Sequence, residues 1–254
     1  MCFGAVPAYA AGTGIAKGVN PQADAQTPTE LRQLTVGADV FIGDRIITGP
    51  EGQVQIKFAD QTELVVGPRS SLVIEDYLLR SDNSAGKFVI NALTGSFRFA
   101  TGNAEKDRYV IKTPTGTIGI RGTALDINVE DETTRVLLFH GAVIMCNLAN
   151  KCVTLDDTCA LGEYDTSDSV VLGDAKEMDD ETKETLLGLF PYADSQDPLL
   201  REFWVDRARQ CLHEPMQAST SSLAGPSDSS VDPFKPEEEE EPGCESECEG
   251  ECPG

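Results

Sequence analysis

Between residues 34 and 165 the chain offers no helix-length apolar pattern, only alternation. Val54, Ile56 and Phe58 alternate with Gln53, Gln55 and Lys57, and Leu125, Ile127 and Val129 with Asp126, Asn128 and Glu130. Leu64 and Val66, Leu72 and Ile74, Phe88 and Ile90, Phe97 and Phe99, and Tyr109 and Ile111 repeat the spacing. A period of two marks strands with one buried face, because successive side chains of a strand point to opposite sides. Turn signals separate the runs: Gly49-Pro50-Glu51-Gly52, Gly67-Pro68-Arg69-Ser70, Thr101-Gly102-Asn103 and Thr113-Pro114-Thr115-Gly116. The run 136–139 is apolar on both parities, which predicts a central strand covered on both faces. Strands this short need two sheets to enclose a core, so the expected fold is all-β: a single β-sandwich or roll, jelly-roll-like or a short solenoid.

The flanks read differently. Residues 12–30 carry no periodic pattern and are expected to be a linker. Asp174 predicts the start of a helix through Met178, Leu186, Leu187 and Phe190. Asp197-Pro198 predicts a second, with Leu199, Leu200, Phe203, Trp204, Ala208 and Cys211 on the face laid against the β domain. From about residue 217 Ser, Gly, Pro and Glu dominate. Such a segment buries too little apolar surface to offset its ordering entropy, so a disordered acidic tail is expected after the two short helices. The expected organisation is a signal remnant and linker over 1–30, a β domain over 31–170, a helical extension over 171–216 and the tail over 217–254.

Charge narrows the function. Lys and Arg number 20 against 43 Asp and Glu, a net charge of −23. That excludes ordinary nucleic-acid binding, which depends on neutralising phosphates with cations, and disfavours an anionic membrane surface. No stretch approaches the roughly 18–20 apolar residues of a membrane helix. From residue 174 onward there are 22 acidic and 6 basic residues, so most of the imbalance belongs to the C-terminal third.

Ala8-Tyr9-Ala10 followed by Ala11-Gly12 is a small-x-small triplet of the kind signal peptidase cuts, and it predicts the stub of a secretory signal. The eight cysteines form no C-x2-C pair pattern of a zinc site, and there are only two histidines. Five turn-like residues separate Cys146 from Cys152, and a hairpin there places the two side chains opposite each other, as a disulfide in an oxidising compartment requires. Cys159 and Cys211 are the candidates for a second bond, which would tie the last helix to the β domain.

The β region resembles the FecR domain family. The resemblance runs from Val36-Gly37 and Gly43-Asp44-x-Ile46-x-Thr48-Gly49, through Gly52, to Ile56-x-Phe58-x-Asp60-x-Thr62-x-Leu64-x-Val66 and Gly67-Pro68-x-Ser70-x-Leu72. It continues through Leu93-x-Gly95-x-Phe97-Arg98 and Ile111-x-Thr113-Pro114 to Ile120-Arg121-Gly122-Thr123-Ala124-Leu125, and ends at Phe139-x-Gly141-x-Val143. Gln61 stands where the family usually has glycine, which predicts a wider turn or a strained residue. Gly95, Thr113, Pro114, Arg121, Gly122, Thr123 and Gly141 read as architectural, with Arg121 a buried or half-buried fork donating to loop carbonyls.

The resemblance implies an exported, Gram-negative, periplasmic or secreted protein that binds a protein or cell-envelope partner. The family's regulators relay a signal from an outer-membrane TonB-dependent receptor to a sigma factor, and action with a separate membrane or anti-sigma partner is the alternative expectation. No nucleophile elbow, phosphate loop, zinc-protease motif or dinucleotide fingerprint is present, so no enzyme, cofactor, metal or catalytic residue is expected. His140 reads as packed structure, and Asp60, Asp126 and Asp131 as strand or turn acids. Cys244, Cys248 and Cys252, interleaved with glutamates, carry the remaining alternative: a surface or metal-binding role for the tail.

Overall fold

The computed structural model describes residues 12–103 and 108–213. The Ala8-Tyr9-Ala10 triplet, Cys2, the tail over 217–254 and its three cysteines lie outside the described residues. Fifteen strands join one mixed sheet among the described residues: β1 (Gly14–Asn20), β2 (Ala23–Gln26), β3 (Leu31–Gln33), β4 (Asp39–Val40), β5 (Arg45–Thr48), β6 (Gln53–Phe58), β7 (Glu63–Val66), β8 (Ser71–Leu79), β9 (Ala85–Ala100), β10 (Tyr109–Thr113), β11 (Gly116–Glu130), β12 (Thr133–Asn147), β13 (Cys152–Leu155), β14 (Ala160–Tyr164) and β15 (Ser169–Asp174). Two short helices follow, α1 (Asp180–Leu189) and α2 (Pro191–Asp194).

Three long strands fold this sheet into two layers. The first half of β9 pairs with β8 and, in parallel, with β10, whereas its second half pairs with β7 and β11. β11 and β12 divide in the same way: their outer halves, 116–121 and 142–147, pair together beside β10 and β13, and their inner halves, 124–130 and 133–140, beside β9 and β14. The first layer therefore runs β3-β2-β5-β8-β9-β10-β11-β12-β13, and the second β4-β1-β6-β7-β9-β11-β12-β14-β15.

The alternation read from the sequence fills the space between the layers. Val54, Ile56, Phe58, Leu64, Phe97, Phe99, Leu125 and Ile127 face Leu72, Ile74, Phe88, Ile90, Ile111, Ile118 and Ile120 in one buried cluster. Phe88 meets Phe58 edge-on with ring centroids 4.7 Å apart, and Phe99 at 5.6 Å. A polar network closes each end of this core. At one, the buried Asp60 carboxylate accepts from the Thr62 amide (3.2 Å) and hydroxyl (2.6 Å), from Tyr77 (3.2 Å) and from Tyr109 (2.8 Å). At the other, Thr113, Thr115, Thr134 and Tyr164 share hydroxyl hydrogen bonds of 2.9–3.4 Å. Burial pushes the Tyr164 phenol up to about 12 and raises Tyr77 further, so both remain neutral donors.

Two expectations need correcting. Residues 14–26 are β1 and β2 rather than linker, and β1 pairs with both β4 and β6. Its inward residues are Gly14 and Ala16, with a bulge before Gly18, and residues so small give no apolar period to read. The second helix is α2, over 191–194, and not the stretch from Pro198 to Cys211, which holds only single 3-10 turns at Arg201–Phe203 and Ala208–Cys211. The Pro198 carbonyl, which such a helix would use internally, is taken by the sheet, where Gln53 Nε2 donates to it (2.8 Å), and Leu200 N donates to Gln55 Oε1 (2.7 Å). Arg207, with φ +73°, then breaks any continuing helix. Asp174 caps a single turn, Ala175–Glu177, and Asp179 is the cap of α1.

Candidate functional site

The motif glycines lie where the long strands bend. Gly95, Gly122 and Gly141 have φ of +106°, +63° and +89°. A Cβ on Gly141 would stand 2.3 Å from the Gly122 carbonyl oxygen, and one on Gly95 2.1 Å from Ser70 Oγ, so neither position admits a side chain. Thr113 belongs to the hydroxyl network, and Pro114 occupies the two-residue turn joining β10 to β11. Thr123 is buried beside Gly141, and its carbonyl accepts from Thr101 N (2.9 Å). Gln61 takes φ +71° in the β6–β7 turn, a left-handed residue where the family pattern has glycine.

Arg121 is not a buried fork. It is exposed, because the parity of β11 turns it outward with Thr117 and Gly119. His140 is likewise exposed rather than packed, next to the Gly141 bend. The buried fork is Arg98, on the outer face of the second layer. It stands directly across the β9–β11 ladder from Asp126 and holds it with Nε at 2.7 Å and Nη2 at 2.8 Å. Phe139 and Tyr192 flank the guanidinium at 5.1 and 5.8 Å. Burial raises the Asp126 carboxyl, and Arg98 opposes the shift. The readable signal was charge opposite charge, Phe97-Arg98-Phe99 against Leu125-Asp126-Ile127, on a face that the doubly apolar 136–139 strand already marked as covered.

The cover is the chain's own C-terminal strap, residues 175–213. Leu186, Phe190, Ala193, Val205, Ala208 and Leu212 pack on Ala124, Leu137, Phe139 and Leu161. Arg98 donates to the Gln196 amide oxygen, which also accepts from Val205 N (2.7 Å), and Ser96 Oγ donates to Leu189 O (3.0 Å). The Cys159–Cys211 disulfide fastens the far end of the strap, 52 residues from its partner in sequence.

Among the described residues, the outer face of the first layer carries no such strap. Register aligns Val89, Val110, Gly119 and Ile144 across β9, β10, β11 and β12. Ile144 is 40% exposed, and Val110 is half-buried. Glu75 holds Lys112 and accepts from Asn91 Nδ2 (3.1 Å), and Asp76 holds Lys87 at 2.7 Å. Cys146 and Cys152, directly opposite each other on β12 and β13, are disulfide-bonded on the same face. Ion pairs and a covalent staple thus border this strip.

Recesses elsewhere do not assemble a reaction centre. One, of about 460 Å³, is lined in part by Lys17, Asp39, Lys57 and Glu202; Lys57 Nζ lies 3.1 Å from both Glu63 and Glu202. A second, of about 540 Å³, lies between Pro21, Asp24 and Glu51. Asp60 and Asp126 belong to separate networks, and Asp131 is an exposed turn residue. Among the described residues no group of three or more His, Cys, Asp or Glu is placed to hold a metal ion, and no helix is long and apolar enough to cross a membrane.

Comparison with known proteins places the middle of the chain. No curated protein is significantly similar to it. Two solved structures from Parabacteroides distasonis ATCC 8503, each provisionally described as an anti-sigma factor, are similar to it. One is 13% identical with a TM-score of 0.41, covering 56% of this chain and 63% of that one. The other is 12% identical with a TM-score of 0.38, covering 50% and 57%. The chain thus spans less than two-thirds of the length of either. Residues 44–144, from the end of the β4–β5 turn through most of β12, match the family model described as FecR protein. The family match over residues 44–144 thus falls on the stretch whose ordered motifs carry the resemblance.

Proposed function

We propose that this protein is a non-enzymatic, extracytoplasmic FecR-domain module that binds a protein partner through the open face of its first layer and acts in signalling regulation. The observation that carries the reading is where the family match falls. Val110, Gly119 and Ile144, the exposed and half-buried part of the strip, lie within residues 44–144, whereas the strap that covers the opposite face lies outside them. The domain thus keeps one face for its own chain and leaves the other for a partner. The two disulfides fit an oxidising compartment such as a Gram-negative periplasm, where a separate membrane or anti-sigma protein would be the partner.

Site-specific photocrosslinking in cells tests this. A crosslinking residue at position 110 or 144 should trap a discrete protein partner, and one at position 55, beneath the strap, should not. Equal labelling from all three positions, or adducts from position 55 alone, would remove the open face from the proposal.

A further inference from the structure

The two disulfides differ in one respect that has chemical consequences. Cys159 and Cys211, which join the sheet to the strap, are both 0% exposed. Cys152 is exposed and Cys146 half-buried, on the open face. We propose that the Cys146–Cys152 disulfide is a thiol-exchange site, at which an incoming thiolate attaches covalently to Cys152. A small external thiol such as glutathione supplies the thiolate.

Exchange needs a disulfide that a nucleophile reaches in line and a scaffold that survives its opening. Exposure meets the first condition at Cys152. Hydrogen bonding meets the second, because the hairpin is held without the sulfurs. Asn147 N donates to Lys151 O (2.9 Å), and Asn147 Oδ1 accepts from the amides of Ala149 and Lys151, both at 3.0 Å. Leu148 N donates to Thr115 O (3.0 Å), and Ser169 Oγ donates to Lys151 O (2.9 Å). β12 also stays paired to β11 through 142–147. The buried bond meets neither condition, since reaching it requires the strap to lift.

The step balances without an added oxidant. The thiolate attacks Cys152 Sγ; the new S–S bond forms as the old one breaks, and its electron pair leaves on Cys146 Sγ, which takes a proton from water. A second thiolate attacking the incoming sulfur releases Cys152. The sum is two thiols oxidised to one disulfide and one disulfide reduced to two thiols.

The test uses the full oxidised chain and a Cys244→Ser, Cys248→Ser, Cys252→Ser variant, each incubated with and without reduced glutathione, then acid-quenched, alkylated and mapped by mass spectrometry. Glutathione should open Cys146–Cys152 at concentrations at least about tenfold below those that open Cys159–Cys211, with a cooperative thermal melt retained. Glutathione should be found attached to Cys152 in both proteins, which shows that the tail cysteines are not needed. Opening of the two bonds together, or of Cys146–Cys152 only in denaturant, would overturn the proposal.

Discussion

The two outer faces of the sandwich are built largely from the same strands, since β9, β11 and β12 contribute to both layers, yet among the described residues one is covered by a strap and the other is bare. On the closed face a charge pair is buried, polar side chains bond to a strap, and the disulfide is inaccessible. On the bare face the charge pairs stand in water, the apolar strip is short, and the disulfide is accessible. The difference teaches how to separate groups that hold this fold from groups free to serve a partner. Burying a charge makes its loss expensive, because the group left behind is stranded; exposing it makes the loss cheap, because water replaces the partner.

The hardest test of this contrast is Arg98→Ala. It strands the Asp126 carboxylate beneath the strap and takes one of two donors from the Gln196 amide oxygen, and the expected cost is about 3–5 kcal/mol in urea unfolding. The paired change Arg98→Met with Asp126→Leu removes both charges and should recover most of that loss. A single variant that unfolds within about 1 kcal/mol of the parent would show that the strap does not seal the pair.

Next in size is the strap's covalent hold. Replacing Cys159 and Cys211 together by alanine should cost about 2–4 kcal/mol, because the bond closes a long loop of the unfolded chain. Hydrogen exchange should show the amides of α1 and of residues 196–205 losing protection before those of β9 and β11. The Cys146–Cys152 bond closes a far shorter loop, and replacing both cysteines should cost about 2 kcal/mol or less. Equal losses from the two pairs would erase the distinction between the faces.

What the sequence disclosed follows the same division. Alternation places β6, β7 and the halves of β9–β12 because one face of each strand is apolar and the other is not. The 136–139 run announces a second buried surface without saying what covers it. The cover eludes sequence reading for a physical reason. Residues 198–211 carry a good helical start and a helical apolar stripe, and those apolar residues are indeed buried at Leu199, Phe203, Ala208 and Cys211. Gln53 and Gln55, 145 residues away, hold the backbone at Pro198 and Leu200 instead, and no local pattern encodes that contact. Arg98 and Arg121 are confused for a related reason. Both lie in strand-and-turn motifs, and only the register, which sets Arg98 opposite Asp126, separates a buried fork from an exposed one.

The smallest expected effect is the sharpest control. Lys112→Met removes the cation that Glu75 holds on the bare face, where the Lys112 side chain is 47% exposed. Glu75 keeps the Asn91 amide at 3.1 Å and gains water, so no buried charge is stranded. The cost should be about 0–1 kcal/mol, and moderate salt should erase it, since an exposed pair is screened over roughly 8–10 Å. Chemically this resembles the Arg98 change, a cation removed from a cross-strand acid on the same sheet. If the two cost the same, burial is not what distinguishes the faces. If Lys112→Met leaves the urea midpoint in place while lowering the yield of crosslinked partner at position 110, the bare face is used for binding rather than for holding the fold.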